Sequence, residues 1–373
     1  MMPTHDNISE MTDDELYAYK DYHTKQAVLK GCNEQARKLL LNSGYGALAN
    51  KWCPVYDLRL AESITKQGQL AIRWAGDVVN LNLNKMLKTD NVDYVVYTDT
   101  DSIYVKLEEV VDRMGYTDKP TMEIVDMLDM FCIKKMQAII DNGYESLAWH
   151  CNSYSQKMQM DREVISSSSI FCTKKKYTMT VWDSEGERFV EPYIKMMGLD
   201  VIKSSTPEFV RTAMKKTITL MLNGDESDVQ KYIKGFKREF KKYNPEEIAF
   251  PKGVNNMEDK YCDGNGDLIP SVTVPINSRA SMLFNKTLNN LGMDNYERIM
   301  AGDKIKYIYL NLPNKLNSNV IGFVDVLPKE FGLHSKIDYD IMWEKVYEKP
   351  MRAMIELIGW SVKPRATLES FFS

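Results

Sequence analysis

Tyr97-Thr98-Asp99-Thr100-Asp101-Ser102-Ile103-Tyr104-Val105 sets two carboxylates two residues apart between β-prone flanks. On a strand or tight hairpin that spacing lets both side chains face one cation, as a site holding Mg2+ against phosphate oxygens requires. A solvated Asp-rich turn reads the same way, and Asp-x-Asp-Ser arises by chance in about one chain in ten of this length. Its company must therefore decide. Lys38-Leu39-Leu40-Leu41-Asn42-Ser43-Gly44-Tyr45-Gly46 places Lys38, Asn42 and Tyr45 at i, i+4 and i+7, so a helix carries an ammonium, an amide and a phenol on one stripe. Such a stripe offers a charge to a phosphate chain, a hydrogen bond to a sugar or base and a ring to wall off a base pair. An ordinary amphipathic helix with a solvated Lys is the plain alternative.

The elements that must position these groups follow from periodicity. Residues 12–50 read as helix, capped at Thr12 with Asp13, Asp14 and Glu15 in the first turn and with Gly31 as a candidate break. Residues 56–88 read as a second helix, built on Leu58, Ile64, Leu70, Ile72, Trp74, Val78, Leu81 and Leu83. Val92–Val105 then changes to a β-hairpin pattern with the acidic pair at its tip. A helix is expected over Thr121–Ala138, strands over Ile165–Phe171 and Tyr177–Trp182, and a turn at Asp183-Ser184-Glu185-Gly186. Helices bearing Lys and Arg follow Pro207. A loop-rich stretch opens at Pro245, Pro251 and Gly253 and runs to a strand at Lys306–Leu310. A domain boundary is placed near Gly198.

Composition bounds the class. A chain of 373 residues, 44% hydrophobic and 27% charged, is globular and long enough for two or three domains. Its net charge of −4 argues against a uniformly basic coat but leaves room for local patches. Lys231–Lys242 is such a patch: six of its twelve residues are Lys or Arg, and Ile233, Phe236, Phe240 and Tyr243 form an inward stripe at helical spacing. Six cysteines without a C-x-x-C pair fit reduced thiols rather than a disulfide framework or zinc site. No basic, apolar leader and no long apolar run stands in the sequence, so an intracellular protein without a membrane partner is expected.

Lys38-x-x-x-Asn42-Ser43-x-Tyr45-Gly46 followed by Tyr97-x-Asp99-Thr100-Asp101-Ser102 resembles motifs B and C of the family B DNA polymerases, in their order. Thr173-Lys174-Lys175-Lys176-Tyr177 resembles the family's Lys-Lys-x-Tyr motif. The wording of Trp182–Gly186 and Lys203–Pro207 resembles the replicative members from T4-like bacteriophages, which implies the cytoplasm of a bacterial host. The resemblance runs from about Asn33 to the C-terminus and covers only the later portion of such an enzyme. It implies an α+β fold, a partial polymerase right hand. Residues 1–50 would be the second half of helical fingers, 51–198 an antiparallel-sheet palm with flanking helices, and 199–373 a mainly helical thumb with a clamp-binding tail.

The resemblance also implies roles. Asp101 would be the principal metal ligand and Asp99 a supporting one, with Glu185 a further palm carboxylate. Lys38 would meet the triphosphate of the incoming dNTP, Asn42 would sit beside it, and Tyr45 would shape the nascent base-pair pocket. Lys174, Lys175 and Tyr177 would contact the primer; Asn277 and Arg279, in Pro275–Ser281, would lie along the product duplex. Leu368, Phe371 and Phe372 resemble a sliding-clamp docking peptide, against the alternative of buried packing. Thr98 and Gly44 depart from the family pattern. No Asp-x-x-Ser-Leu-Tyr-Pro motif A is present, and two-metal transfer with Mg2+ needs that carboxylate. The expectation is thus the C-terminal chain of a split polymerase, completed by an N-terminal chain carrying motif A and the exonuclease. The competing reading is a catalytically silent DNA- and clamp-binding module or a gene fragment.

Overall fold

The computed structural model describes residues 11–263, 269 and 272–364. The chain forms two compact units: residues up to Glu109 together with Lys135–Met160, and Val110–Lys134 together with the chain from Asp161 onward. In order, the elements up to His150 are α1 (Asp13–Ala49), α2 (Leu58–Leu87), β1 (Val95–Asp99), β2 (Ser102–Val105), α3 (Glu108–Arg113), α4 (Thr121–Phe131) and, after a π-helical turn at Cys132–Met136, α5 (Gln137–His150).

In the first unit, α1 starts where a capping box forms. The Thr12 hydroxyl accepts from the Glu15 amide, and the Glu15 carboxylate accepts from the Thr12 amide at 3.0 Å. Gly31 does not break this helix, and Gly44 does not either. With four-residue hydrogen bonds on both sides, each glycine costs about 1 kcal/mol of propensity, too little to interrupt a helix of 37 residues. None of those residues is buried. Asp57 caps α2 by accepting from the Arg59 and Leu60 amides at 2.9 and 3.4 Å. Ala71, Ala75, Val79, Leu83 and Leu87 then turn one stripe of α2 inward. Ile140, Gly143, Tyr144 and Leu147 make the matching stripe of α5, and Gly143 lets the helices close: a Cβ there would come within 3.0 Å of the Val78 side chain. The helix expected to end near Ala138 therefore continues to His150, because the π-helical turn absorbs an extra residue without breaking the chain of hydrogen bonds.

The second unit adds β3 (Val164–Thr173), β4 (Lys176–Ser184), β5 (Glu187–Met197), α6 (Glu208–Asn223), α7 (Glu226–Phe240), α8 (Pro245–Ile248), β6 (Phe250–Gly253), α9 (Glu258–Tyr261), α10 (Ile276–Leu291), β7 (Lys304–Tyr309), β8 (Val320–Phe323), α11 (Tyr339–Trp343) and α12 (Lys349–Leu357). Two antiparallel three-stranded sheets, β3-β4-β5 and β6-β7-β8, carry it. Central β4 is buried from Tyr177 to Val181. The sequence carries no period-two pattern over β5, because its charged start and Pro192 suppress one, as suits an edge strand. What enforces it is the two-residue turn at Glu185 and Gly186, both left-handed at φ 53° and 92°, with Ser184 paired to Glu187.

Gly198 lies inside this unit. Its φ of +64° and the Lys175 carbonyl, which a Cβ would strike, make glycine obligatory there. Beyond it, Leu199 and Val201 enter the same core as Ile170 of β3, Val210, Met214 and Ile218 of α6, and Val229, Ile233, Phe236 and Phe240 of α7. The core's aromatic centre sets the Phe236 ring 5.5 Å from Trp343 and 4.9 Å from Tyr347, whose hydroxyl meets Thr217 Oγ1 at 2.5 Å. The stretch expected to be loop-rich holds α10, seated under β8, where a Cβ on Gly322 would lie 3.0 Å from the Ala280 carbonyl carbon.

Candidate active site

The acidic hairpin forms as its sequence requires. Thr98 pairs with Ile103 and Asp99 with Ser102, leaving Thr100 and Asp101 as the turn. The Asp101 amide donates to the Asp99 carbonyl at 2.7 Å around Thr100, whose φ is 57°. That is a three-residue γ-turn with positive φ at a β-branched residue, a conformation a chain adopts only when its surroundings impose it. Thr100 Oγ1 donates to Asp99 Oδ1 at 3.1 Å, and Ser102 Oγ donates to the Asp99 carbonyl at 3.1 Å. Asp99 is thus oriented from both sides and half-buried, while Asp101 is exposed at the tip. Tyr97 and Tyr104 meet edge to face at 5.4 Å, two pairs back from the Asp99–Ser102 pair that closes the turn. Thr98 is exposed.

On α1, Lys38, Asn42 and Tyr45 share one stripe of a continuous helix and all three are exposed. Lys38 Nζ lies 3.6 Å from Glu34, a solvent-exposed pair of small energy. In the second unit, Lys174 and Lys175 are the β3–β4 turn, with Thr173 paired to Lys176 and Lys175 at φ 63°. Both point to solvent, but Tyr177 is only 5% exposed and packs its ring 5.8 Å from Phe171. Lys175 and Glu185 stand at opposite ends of β4, about 30 Å of strand apart, so the structure does not bring them together.

Beside Glu185 lies a cluster the sequence reading missed. Asp183, fully buried, accepts from both Arg162 and Arg188. Asp129 of α4 receives the same two guanidinium groups at 2.9 and 2.8 Å, and Asp126 takes the Arg188 Nε at 3.0 Å. Burial pushes the Asp129 carboxyl up, but the Arg188 hydrogen bond and the charges of Arg162 and Arg188 outweigh it and hold its pKa below the ordinary carboxylate value. Burial likewise raises the neighbouring Cys132 thiol to about 11. Asp183 Oδ1 also accepts from the Gly186 amide at 3.2 Å, tying this charge box to the turn that carries Glu185. No sequence pattern marks it, since Asp183, the next-to-last residue of β4, reads as the start of a polar turn.

Asn277 and Arg279, the expected duplex contacts, lie in the first turn of α10. Asn277 donates to the Gly253 carbonyl at 2.8 Å and Arg279 to Asn319 at 2.9 Å, which leaves the Arg279 Nε buried without a partner. On α7 Ile233, Phe236 and Phe240 of the expected stripe are buried and Lys231, Lys234 and Arg238 exposed, while Lys237 is half-buried over the Trp343 ring; Tyr243 lies past the end of the helix and is half-buried, and Lys241 and Lys242 just beyond Phe240 are exposed. Leu368, Phe371 and Phe372 lie outside the described residues.

Residues 15–120 and 127–353 match the family described as DNA polymerase family B. The chain belongs to that family. It is 32% identical over 378 aligned residues to the "DNA-directed DNA polymerase" of Enterobacteria phage T4, spanning 98% of this chain and 41% of the relative. Against the same enzyme of Escherichia phage RB69 it is 35% identical over 90% of this chain and 38% of the relative. At 22% identity it also aligns with the "DNA polymerase alpha catalytic subunit" of Leishmania donovani. The chain therefore spans about two fifths of the length of its phage relatives. Family membership and the mixed architecture of helices with small antiparallel sheets agree with a partial family B fold. No described helix is long and apolar enough to cross a membrane.

The donor set of the hairpin suits a hard divalent cation, since its two carboxylates offer oxygen alone. Among the described residues no three His, Cys, Asp or Glu side chains converge as a metal cage.

Proposed function

We propose that this chain is the C-terminal part of a split replicative DNA-directed DNA polymerase that extends a primer 3′-hydroxyl with dNTPs. The observation that carries the reading is the γ-turn at Thr100, a strained conformation spent on presenting two carboxylates that a binding-only module does not need. Residues 1–50 would act as fingers, 51–198 as palm and 199–373 as thumb and tail. Asp101 and Asp99 would hold Mg2+, with Glu185 as a further carboxylate. When bound, Mg2+ would favour the ionised primer hydroxyl and neutralise phosphate charge. Lys38 would leave its weak pairing with Glu34 for the triphosphate, with Asn42 beside it and Tyr45 against the nascent base pair. Lys174 and Lys175 would meet the primer strand, and buried Tyr177 would brace their turn. Asn277 and Arg279, already bonded within the thumb, would line the duplex path with their remaining donors. Motif A and the exonuclease would come from an N-terminal chain, since two-metal transfer needs a motif A carboxylate and none stands in this sequence. The tail at Leu368, Phe371 and Phe372 would dock on a sliding clamp.

The test is Asp101→Asn in the chain reconstituted with such a partner. Synthesis should vanish while primer-template binding stays nearly unchanged. Retained synthesis would remove Asp101 from the chemistry, and a collapse of binding would give it a structural role.

A further inference from the structure

The acidic hairpin is not held by its own pairing alone. Two asparagines on α2 grip the segment that feeds it. Asn80 Oδ1 accepts from the Tyr94 amide at 2.8 Å and the Val95 amide at 3.1 Å, while its Nδ2 donates to Asp93 Oδ1 at 2.7 Å. One turn on, Asn84 Oδ1 accepts from the Val92 amide and from the Thr89 hydroxyl, each at 2.9 Å. Its Nδ2 donates to the Val92 carbonyl at 2.7 Å and to the Asn80 carbonyl at 2.9 Å. Thr89 then meets the hydroxyl of buried Tyr94 at 2.9 Å, and the Tyr94 carbonyl accepts from Lys106 at the far end of β2.

Asparagine is a poor helix former, and α2 carries three of them at alternate positions, Asn80, Asn82 and Asn84. A local rule broken in mid-helix calls for a compensating role. Asn82 shows what the residue does without one, donating only to the Val78 carbonyl of its own helix at 2.8 Å. Asn80 and Asn84 instead act as a backbone substitute. Through its oxygen an amide accepts from two peptide N–H groups while its nitrogen donates to a carboxylate. A carboxylate at position 80 would face Asp93 with like charge, and an aliphatic side chain would leave the Tyr94 and Val95 amides without that partner. The contacts stop at Val95, four residues before Asp99, and thereby fix where β1 begins, just ahead of the register shift between Val95 and Tyr97.

We infer that Asn80 and Asn84 are positioning residues that set the placement of Asp99 and Asp101 against α2 and restrain the strained turn at Thr100. This rests on the reading of the hairpin as a metal site, and the two fail separately in the following experiment. In the full chain, amide hydrogen exchange over Thr98–Ile103 is compared among wild type, Asn80→Leu and Asn82→Leu. Leucine is the better helix former, so α2 itself is not weakened by either change. Terbium is titrated into the same proteins, its emission sensitised by Tyr97 and Tyr104, with Asp101→Asn as the control.

Asn80→Leu should speed hairpin exchange while leaving that of α2 unchanged, and should weaken terbium binding by roughly tenfold, the scale on which outer partners of metal ligands act. Asn82→Leu should match wild type in both. Asn80→Asp, which keeps the acceptors but exchanges the donor to Asp93 for a like charge, should also speed hairpin exchange and decides the matter if Asn80→Leu does not fold. Hairpin exchange in a folded Asn80 variant equal to wild type overturns the inference, whatever terbium does. Terbium binding indifferent to Asp101→Asn overturns the metal reading, while the exchange result still judges the clamp.

Discussion

A β-branched residue at φ 57° stores strain, and at Thr100 the pairs Thr98–Ile103 and Asp99–Ser102 hold it in place. Replacing it by glycine removes the steric penalty and adds unfolded-chain entropy. Thr100→Gly is therefore expected to raise stability by about 0.5 to 1 kcal/mol, read from chemical denaturation; a loss would mean that the hydroxyl bond to Asp99 outweighs the strain. Lys38 makes the complementary case. Its partner Glu34 is exposed, so breaking the pair costs little, whereas a charge-assisted bond to phosphate contributes about 1.5 to 3 kcal/mol. Lys38→Ala should raise KM for dNTP by roughly tenfold or more in the reconstituted enzyme, and Glu34→Ala should leave it nearly unchanged. Equal effects would assign Lys38 to the helix surface. Both groups were legible from spacing because a helix stripe and a hairpin tip are local geometry. The sign of φ at Thr100 and the burial of Tyr177 were not, since pairing and packing impose them from outside the motif.

At the scale of elements, the box of Arg162, Arg188, Asp129 and Asp183 ties α4, the approach to β3, and strands β4 and β5 to one another. Asp183→Ala would leave two guanidinium groups facing one fewer carboxylate in a buried setting, a loss of about 3 kcal/mol or more. The pH dependence follows from Asp129. Its folded-state pKa is lowered below 3.8, so its contribution is present above that value and is lost as pH falls through the lower folded-state pKa. Asp129→Asn should flatten the stability profile below about pH 4, as followed by acid unfolding. An unchanged profile would place the acid sensitivity elsewhere. No local pattern marks this box because its members are spread from position 129 to 188. Amphipathic α2 and α7 were legible from periodicity, whereas edge strand β5 and helix α10 were hidden by Pro192, by charge, and by the Pro and Gly residues flanking α10.

At the scale of the molecule, Ile170 of β3 shares a hydrophobic core with α6, α7 and α12, contacts no local pattern reveals. The larger consequence concerns completeness. In the proposed reading two-metal transfer needs a carboxylate from motif A, and this sequence carries no Asp-x-x-Ser-Leu-Tyr-Pro segment. The chain alone should therefore show no primer extension with Mg2+, even though the exposed lysines of α7 and of the β3–β4 turn would still bind primer-template DNA. Removing Lys234 and Arg238 by alanine should lower the salt slope of that binding by about 2, one released counterion per lost contact, without affecting sequence preference. Adding a chain that carries motif A should restore extension while duplex affinity rises by less than activity. Extension by the purified chain alone would refute the shared centre, because the missing carboxylate would then have to come from this chain's own residues.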